Sequence, residues 1–116
     1  MTINQRIIEA VKPVCPICRP EVYLPNDRDA PQEIYCTFDV DQTADAGDNE
    51  AGDILYSCLL HFFAPYEDGA GNYVNTLAKR HALADALSKA DDFSLPVIVD
   101  ESDGIGQHFT FAFQAV

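Results

Sequence analysis

The sequence predicts an α+β domain, a mainly antiparallel sheet of about four to five strands with a long helix packed on one face and a short N-terminal helix. Three observations lead there. Glu33 to Val40 and Ile54 to Ala64 both alternate with the period of two that sends successive side chains to opposite faces of a sheet. Gln107 to Ala115 repeats the pattern, with Phe109, Phe111 and Phe113 on one side and His108, Thr110, Ala112 and Gln114 on the other. Between these strands, Tyr73 to Ala90 spaces its apolar residues as a helix does.

Taken in order, Thr2-Ile3-Asn4-Gln5 reads as a capping box, and Ile3, Ile7, Ile8 and Val11 fall on one side of the helix it starts. Pro13 ends that helix, since the residue before a proline is steered out of the helical region. Val14 to Asp29 carries Pro16, Pro20 and Pro25, so any strand there is short or at an edge, and Asn26 to Gln32 is a polar turn. Ile34, Cys36, Phe38 and Val40 then oppose Tyr35, Thr37 and Asp39 across the first long strand. In the second, Tyr56, Cys58, Leu60 and Phe62 oppose Ser57, Leu59, His61 and Phe63, which makes both faces apolar toward its end and implies a central strand covered on both sides. The acidic loop Asp41 to Asp53 joins them.

Tyr66 to Asn72 is a glycine-bearing loop, and the helix after it gathers Tyr73, Leu77, Leu83, Ala84 and Leu87 on one side. Ala78, Ala82 and Ala86 form a second ridge that would admit a close neighbour. Leu95 to Val99 is an apolar strand with Pro96 near its start, and Asp100 to Gly106 turns the chain into the last strand.

At 116 residues the chain fits a single domain, 1–116, able to bury roughly 65% of its unfolded surface. Its 47% hydrophobic content is that of an ordinary soluble domain. No apolar run approaches the ~20 residues of a membrane span, and no secretory signal is legible, so folding in a cytoplasm is expected. Nineteen acidic against seven basic residues give a net charge of −12, which opposes direct nucleic-acid binding. Such a surface is either kept soluble by its charge or shaped to exclude or imitate nucleic acid.

No constellation assembles for catalysis. Cys15-Pro16-Ile17-Cys18 has a redox spacing but follows a helix instead of opening one, so it lacks the dipole that would stabilise a thiolate, and all four cysteines read as reduced structural thiols. Zinc would need a second ligand pair, whereas Cys36, Cys58, His61, His81 and His108 are scattered. The acidic loop misses the calcium-loop pattern, with Ala46 at the glycine position and Gly52 at the bidentate position if Asp41 is the first ligand. Nucleophile elbow, phosphate loop, metalloprotease and dinucleotide motifs are all missing, so the chain reads as a non-enzyme without cofactor or metal, its histidines facing solvent or a partner.

The succession of short helix, proline-broken segment, long hairpin with protruding loop, one long helix and two closing strands, from Ile3 to Phe113, resembles the tail-terminator and tail-completion proteins of long-tailed bacteriophages and prophages. The resemblance implies a virion assembly protein, a subunit of a usually hexameric ring that caps the tail tube and meets the head connector. Its partners would be its own copies, the tail tube and the connector, with no membrane and no direct nucleic-acid contact, and its place the virion tail after assembly in the host cytoplasm. On that reading the loop residues Asp41, Asp45, Asp48, Glu50 and Asp53 face a neighbouring subunit or the lumen, where negative charge lets DNA slide. Two other readings stand beside it, an acidic DNA-mimic inhibitor of a nucleic-acid enzyme and a small cysteine-ligated metal-binding protein.

Overall fold

The computed structural model describes residues 1–20, 30–42 and 55–116. The capping box forms as the sequence predicts, Thr2 Oγ1 accepting from Gln5 N–H at 3.2 Å and Gln5 Oε1 accepting from Thr2 N–H at 2.9 Å. Helix α1 (Ile3–Val11) follows, and the chain then runs through β1 (Cys18–Pro20), β2 (Tyr35–Gln42), β3 (Tyr56–Ala64), α2 (Leu77–Lys89), β4 (Val97–Asp100) and β5 (Gln107–Ala115). The strands form one sheet in the order β1-β2-β3-β5-β4, so β3 is central, as its doubly apolar pattern implies.

The fold class is α+β, but the sheet is mixed instead of mainly antiparallel. Strand β1 lies parallel to β2, with Cys18 opposite Cys36 and Pro20 opposite Phe38, while the other pairings are antiparallel. A parallel neighbour needs a crossover of about a dozen residues, and the stretch between Pro20 and Tyr35 is long enough to supply one. Proline confines β1 to three residues at the sheet's edge.

The second helix is also shorter than the sequence suggests, beginning at Leu77 and not at Tyr73. Local bonding wins over helical spacing here. Glu67 and Tyr73 form an isolated bridge, Val74 N–H donates to the Tyr66 carbonyl, and Asp68 accepts from Ala70, Asn72 and the Asn72 side chain. Those bonds to backbone N–H groups hold the Asp68 carboxyl below its usual pKa. Tyr73 and Leu77 are consequently exposed, and only Leu83 and Leu87 of the expected stripe are fully buried. The Ala78 and Ala82 ridge faces solvent.

Both helices pack on one face of the sheet. Ile7 and Val11 of α1 and Leu83 and Leu87 of α2 meet Cys36, Phe38, Cys58, Leu60, Phe62, Phe109, Phe111 and Phe113 in one apolar core. Each of the aliphatic and phenylalanine side chains contributes about 1.5–3 kcal/mol by leaving water. Arg6 ties α1 to the end of the chain, its guanidinium donating to the carbonyls of Val116 (2.8 Å) and Asp91 (3.1 Å) and lying 5.2 Å from the centre of the Phe93 ring. At the far end Gly106 sits so close to Pro31 that an added Cβ would come within 2.7 Å of its ring.

Candidate functional site

The other face of the sheet carries no helix among the described residues. Its side chains fall into rows set by the register: Tyr35, Phe63 and His108; Thr37, His61, Thr110 and Val99; Asp39, Leu59, Ala112 and Val97; Asp41, Ser57 and Gln114. The first two rows are buried or nearly so, apart from Val99, whereas Leu59 is 41% and Val97 64% exposed. One end of this face is therefore finished as a second small core, and the other is open.

Aromatic stacking builds the finished end. The rings of Tyr35 and Phe63 stack with centres 4.9 Å apart, and those of Phe63 and His108 at 4.4 Å. Next to them a chain of polar contacts crosses the sheet. His61 Nδ1 lies 3.0 Å from His108 Nε2 and 3.2 Å from Thr110 Oγ1, His61 Nε2 lies 3.4 Å from an Asp39 carboxylate oxygen, and the Thr110 hydroxyl donates to Glu101. Thr110 spends its one proton on Glu101, so it can only accept from the imidazoles. The tautomers that serve these contacts place a proton on His61 Nε2, toward Asp39, and another on His108 Nε2, shared between His61 Nδ1 and Thr110.

Burial lowers the pKa of His61, opposed by the negative charge and hydrogen bond of Asp39 and by the charge of Glu101. Desolvation is the larger effect, so the neutral imidazole is the native form. The histidines expected to face solvent or a partner are thus corrected for His61 and His108, which are 4% and 0% exposed, while His81 is exposed. The polar side of the last strand is likewise interior at His108 and Thr110. What the network does chemically is brace: it joins β2, β3, β5 and the turn after β4 through groups that would be costly to bury unpaired.

At the open end the sheet floors a groove of about 470 Å³ lined by Asp39, Asp41, Leu59, Leu95, Val97 and Ala112. Its floor is apolar, and its β2 side is acidic. Beside it runs β4, an edge strand in which all four residues are exposed. Glu101 N–H donates to the His108 carbonyl, and continuing that antiparallel alternation turns the N–H and C=O groups of Ile98 and Asp100 away from β5, toward an edge that no other strand among the described residues covers. The outer flank of β4 thus offers backbone bonding groups between exposed Val97, Ile98 and Val99 side chains.

Of the residues singled out in the sequence, Asp41 lies exposed at the end of β2 opposite Ser57, on the rim of this groove. Asp45, Asp48, Glu50 and Asp53 lie outside the described residues, as does the tip of the acidic loop. The four cysteines are free thiols, and among the described residues no group of three or more His, Cys, Asp or Glu side chains is disposed to hold a metal ion. No protein-family model matches the chain, and no curated protein matches it significantly.

Proposed function

We propose that this protein works by association: it is the subunit of a homo-oligomeric ring that terminates a phage tail tube and joins it to the head connector. The observation that carries the reading is the β4 edge. Soluble monomers blunt their sheet edges with lysine, proline, bulges or very short strands, because an uncovered edge templates pairing with another chain. Strand β1 has that protection, being three residues long and ending in Pro20. Strand β4 is also short, four residues between Pro96 and Glu101, but it exposes three apolar side chains, Val97, Ile98 and Val99, and carries no basic residue, next to a groove with an apolar floor. A surface of this kind is what an assembly subunit presents to its neighbour.

The charge supports the same reading, since a net −12 on each copy makes a ring whose channel repels DNA phosphates. Electron microscopy of the purified chain, alone and after mixing with polymerising tail-tube subunits, tests it. Closed rings, or tubes capped at one end and halted in growth, are expected. Tubes that elongate unchanged in its presence, with no rings, would overturn the assignment, and salt-sensitive inhibition of a basic nucleic-acid enzyme would favour the DNA-mimic reading instead.

A further inference from the structure

The groove at the open end of the sheet has a shape and a charge pattern of its own. Strands β2 and β4 flank it with β3 and β5 between them, so its floor spans three strand spacings, about 14 Å. Leu59 and Ala112 form the middle of the floor, and exposed Val97 and Leu95 its far side. The near side is acidic, with Asp39 and Asp41 two residues apart on β2 and so about 6.8 Å from each other along one face. Asp41 is exposed, and Asp39, fixed by His61 Nε2 at 3.4 Å, keeps 28% of its side chain open to solvent. Among the described residues that line the groove there is no lysine or arginine.

We propose that this groove docks an amphipathic helix of a partner protein, its apolar stripe on Leu59, Ala112 and Val97, with lysine or arginine at positions i and i+4 on the flank toward Asp39 and Asp41. A helix suits the place because the floor strands β3 and β5 are paired on both sides. A segment lying over them finds no backbone partner and must satisfy its own N–H and C=O groups, as a helix does. Its diameter of about 10–12 Å fits the width of the floor. Residues i and i+4, about 6 Å apart along the axis, match the spacing of the two carboxylates.

Charge selects a basic partner over a second copy of the chain. Each copy brings a net −12. Its Arg6 and Lys79 are engaged by chain carbonyls, Arg80 lies over the Phe109 ring, and Lys89 pairs with Asp85. Attraction between the carboxylates and a basic flank sets the orientation of the incoming helix, while the apolar stripe supplies contact area. The proposal goes beyond the ring assignment by naming a partner other than the chain itself. It uses the face of the sheet and not the β4 edge, so either can fail without the other.

The test titrates the full chain into a labelled synthetic helix of about 15 residues, with leucine along one stripe and lysine along the flank, and follows fluorescence anisotropy at about 0.15 M salt. One control helix keeps the lysines but carries serine on the stripe, and another keeps the leucines but carries glutamate on the flank. Saturable one-to-one binding of the first helix is expected, with amide shifts centred on Leu59, Val97 and Ala112. Either control should bind at least about tenfold more weakly. Asp41→Lys and Leu59→Gln, both at exposed positions, should each weaken binding about fivefold or more. Should a variant fold poorly, the control helices decide on the wild-type chain alone. Equal binding of the serine control would reduce the effect to net charge and overturn the proposal, as would shifts centred elsewhere or binding that Asp41→Lys leaves unchanged. Binding seen only after deletion of residues 43–51 would give the groove to the chain's own acidic loop, and self-association abolished by Leu59→Gln would give it to a second copy; either result would overturn the proposal.

Discussion

The two faces of one five-stranded sheet are finished to different degrees. The face under α1 and α2 is closed along its length by phenylalanine, leucine and isoleucine. The opposite face is closed at the His108 end and left open at Leu59, Ala112 and Val97. The two edges differ too, β1 three residues long and ending in proline, β4 four residues long with three exposed apolar side chains. On the ring proposal, stability and association would draw on separate parts of the same sheet, so mutations should separate them.

Core substitutions on the helix face give the largest expected loss. Leu60→Ala, at a fully buried position on the central strand, should cost about 2–5 kcal/mol in denaturant unfolding, the price of a cavity plus lost transfer energy. A value below about 1 kcal/mol would mean that the helices do not seal this face.

The polar network comes next. Thr110→Val keeps the shape but removes the hydroxyl shared by His61, His108 and Glu101, and should cost about 1–3 kcal/mol. Acid should act on the same place. The native pKa of His61 is lowered, so its neutral form contributes stability that is present above its unfolded value of about 6.5 and lost as pH falls toward the native value. Urea midpoints measured from pH 8 to pH 5 should fall, and less steeply in His61→Gln. A midpoint that rises on acidification would contradict the assignment of His61 as neutral.

The N-terminal cap is smaller still. Thr2→Ala removes the hydroxyl that accepts from Gln5 and should cost about 1 kcal/mol, with α1 fraying first in hydrogen exchange. No change in α1 protection would mean that docking of Ile7 and Val11 alone holds the helix.

Much of this architecture was legible in the chain because it rests on local pattern. The capping box, the alternation of β3 and the three phenylalanines of β5 each state their own element, and β5 spans the residues expected of it. What was not legible depends on register and competition. The parallel placement of β1 follows from long-range pairing that Cys18, Arg19 and Pro20 do not announce. The late start of α2 follows from bonds between Tyr66 to Asp68 and Asn72 to Val74 that outcompete helical spacing. His61 and His108 are 47 residues apart, and only the pairing of β3 with β5 sets them 3.0 Å from each other. The same holds for Cys36 opposite Cys18. Their spacing in sequence carries no sign of it.

The difference between the sheet's edges is most directly tested by light scattering across a concentration series, comparing the wild-type chain with the double variant Val97→Lys/Val99→Lys. Both side chains are exposed, so the lysines should leave the urea midpoint within about 0.5 kcal/mol of wild type while guarding the edge as natural sheets do. The account expects wild-type mass to rise with concentration to a closed oligomer and the variant to stay monomeric. A wild-type chain that remains monomeric at every concentration, or a variant that assembles as the wild type does, would contradict it.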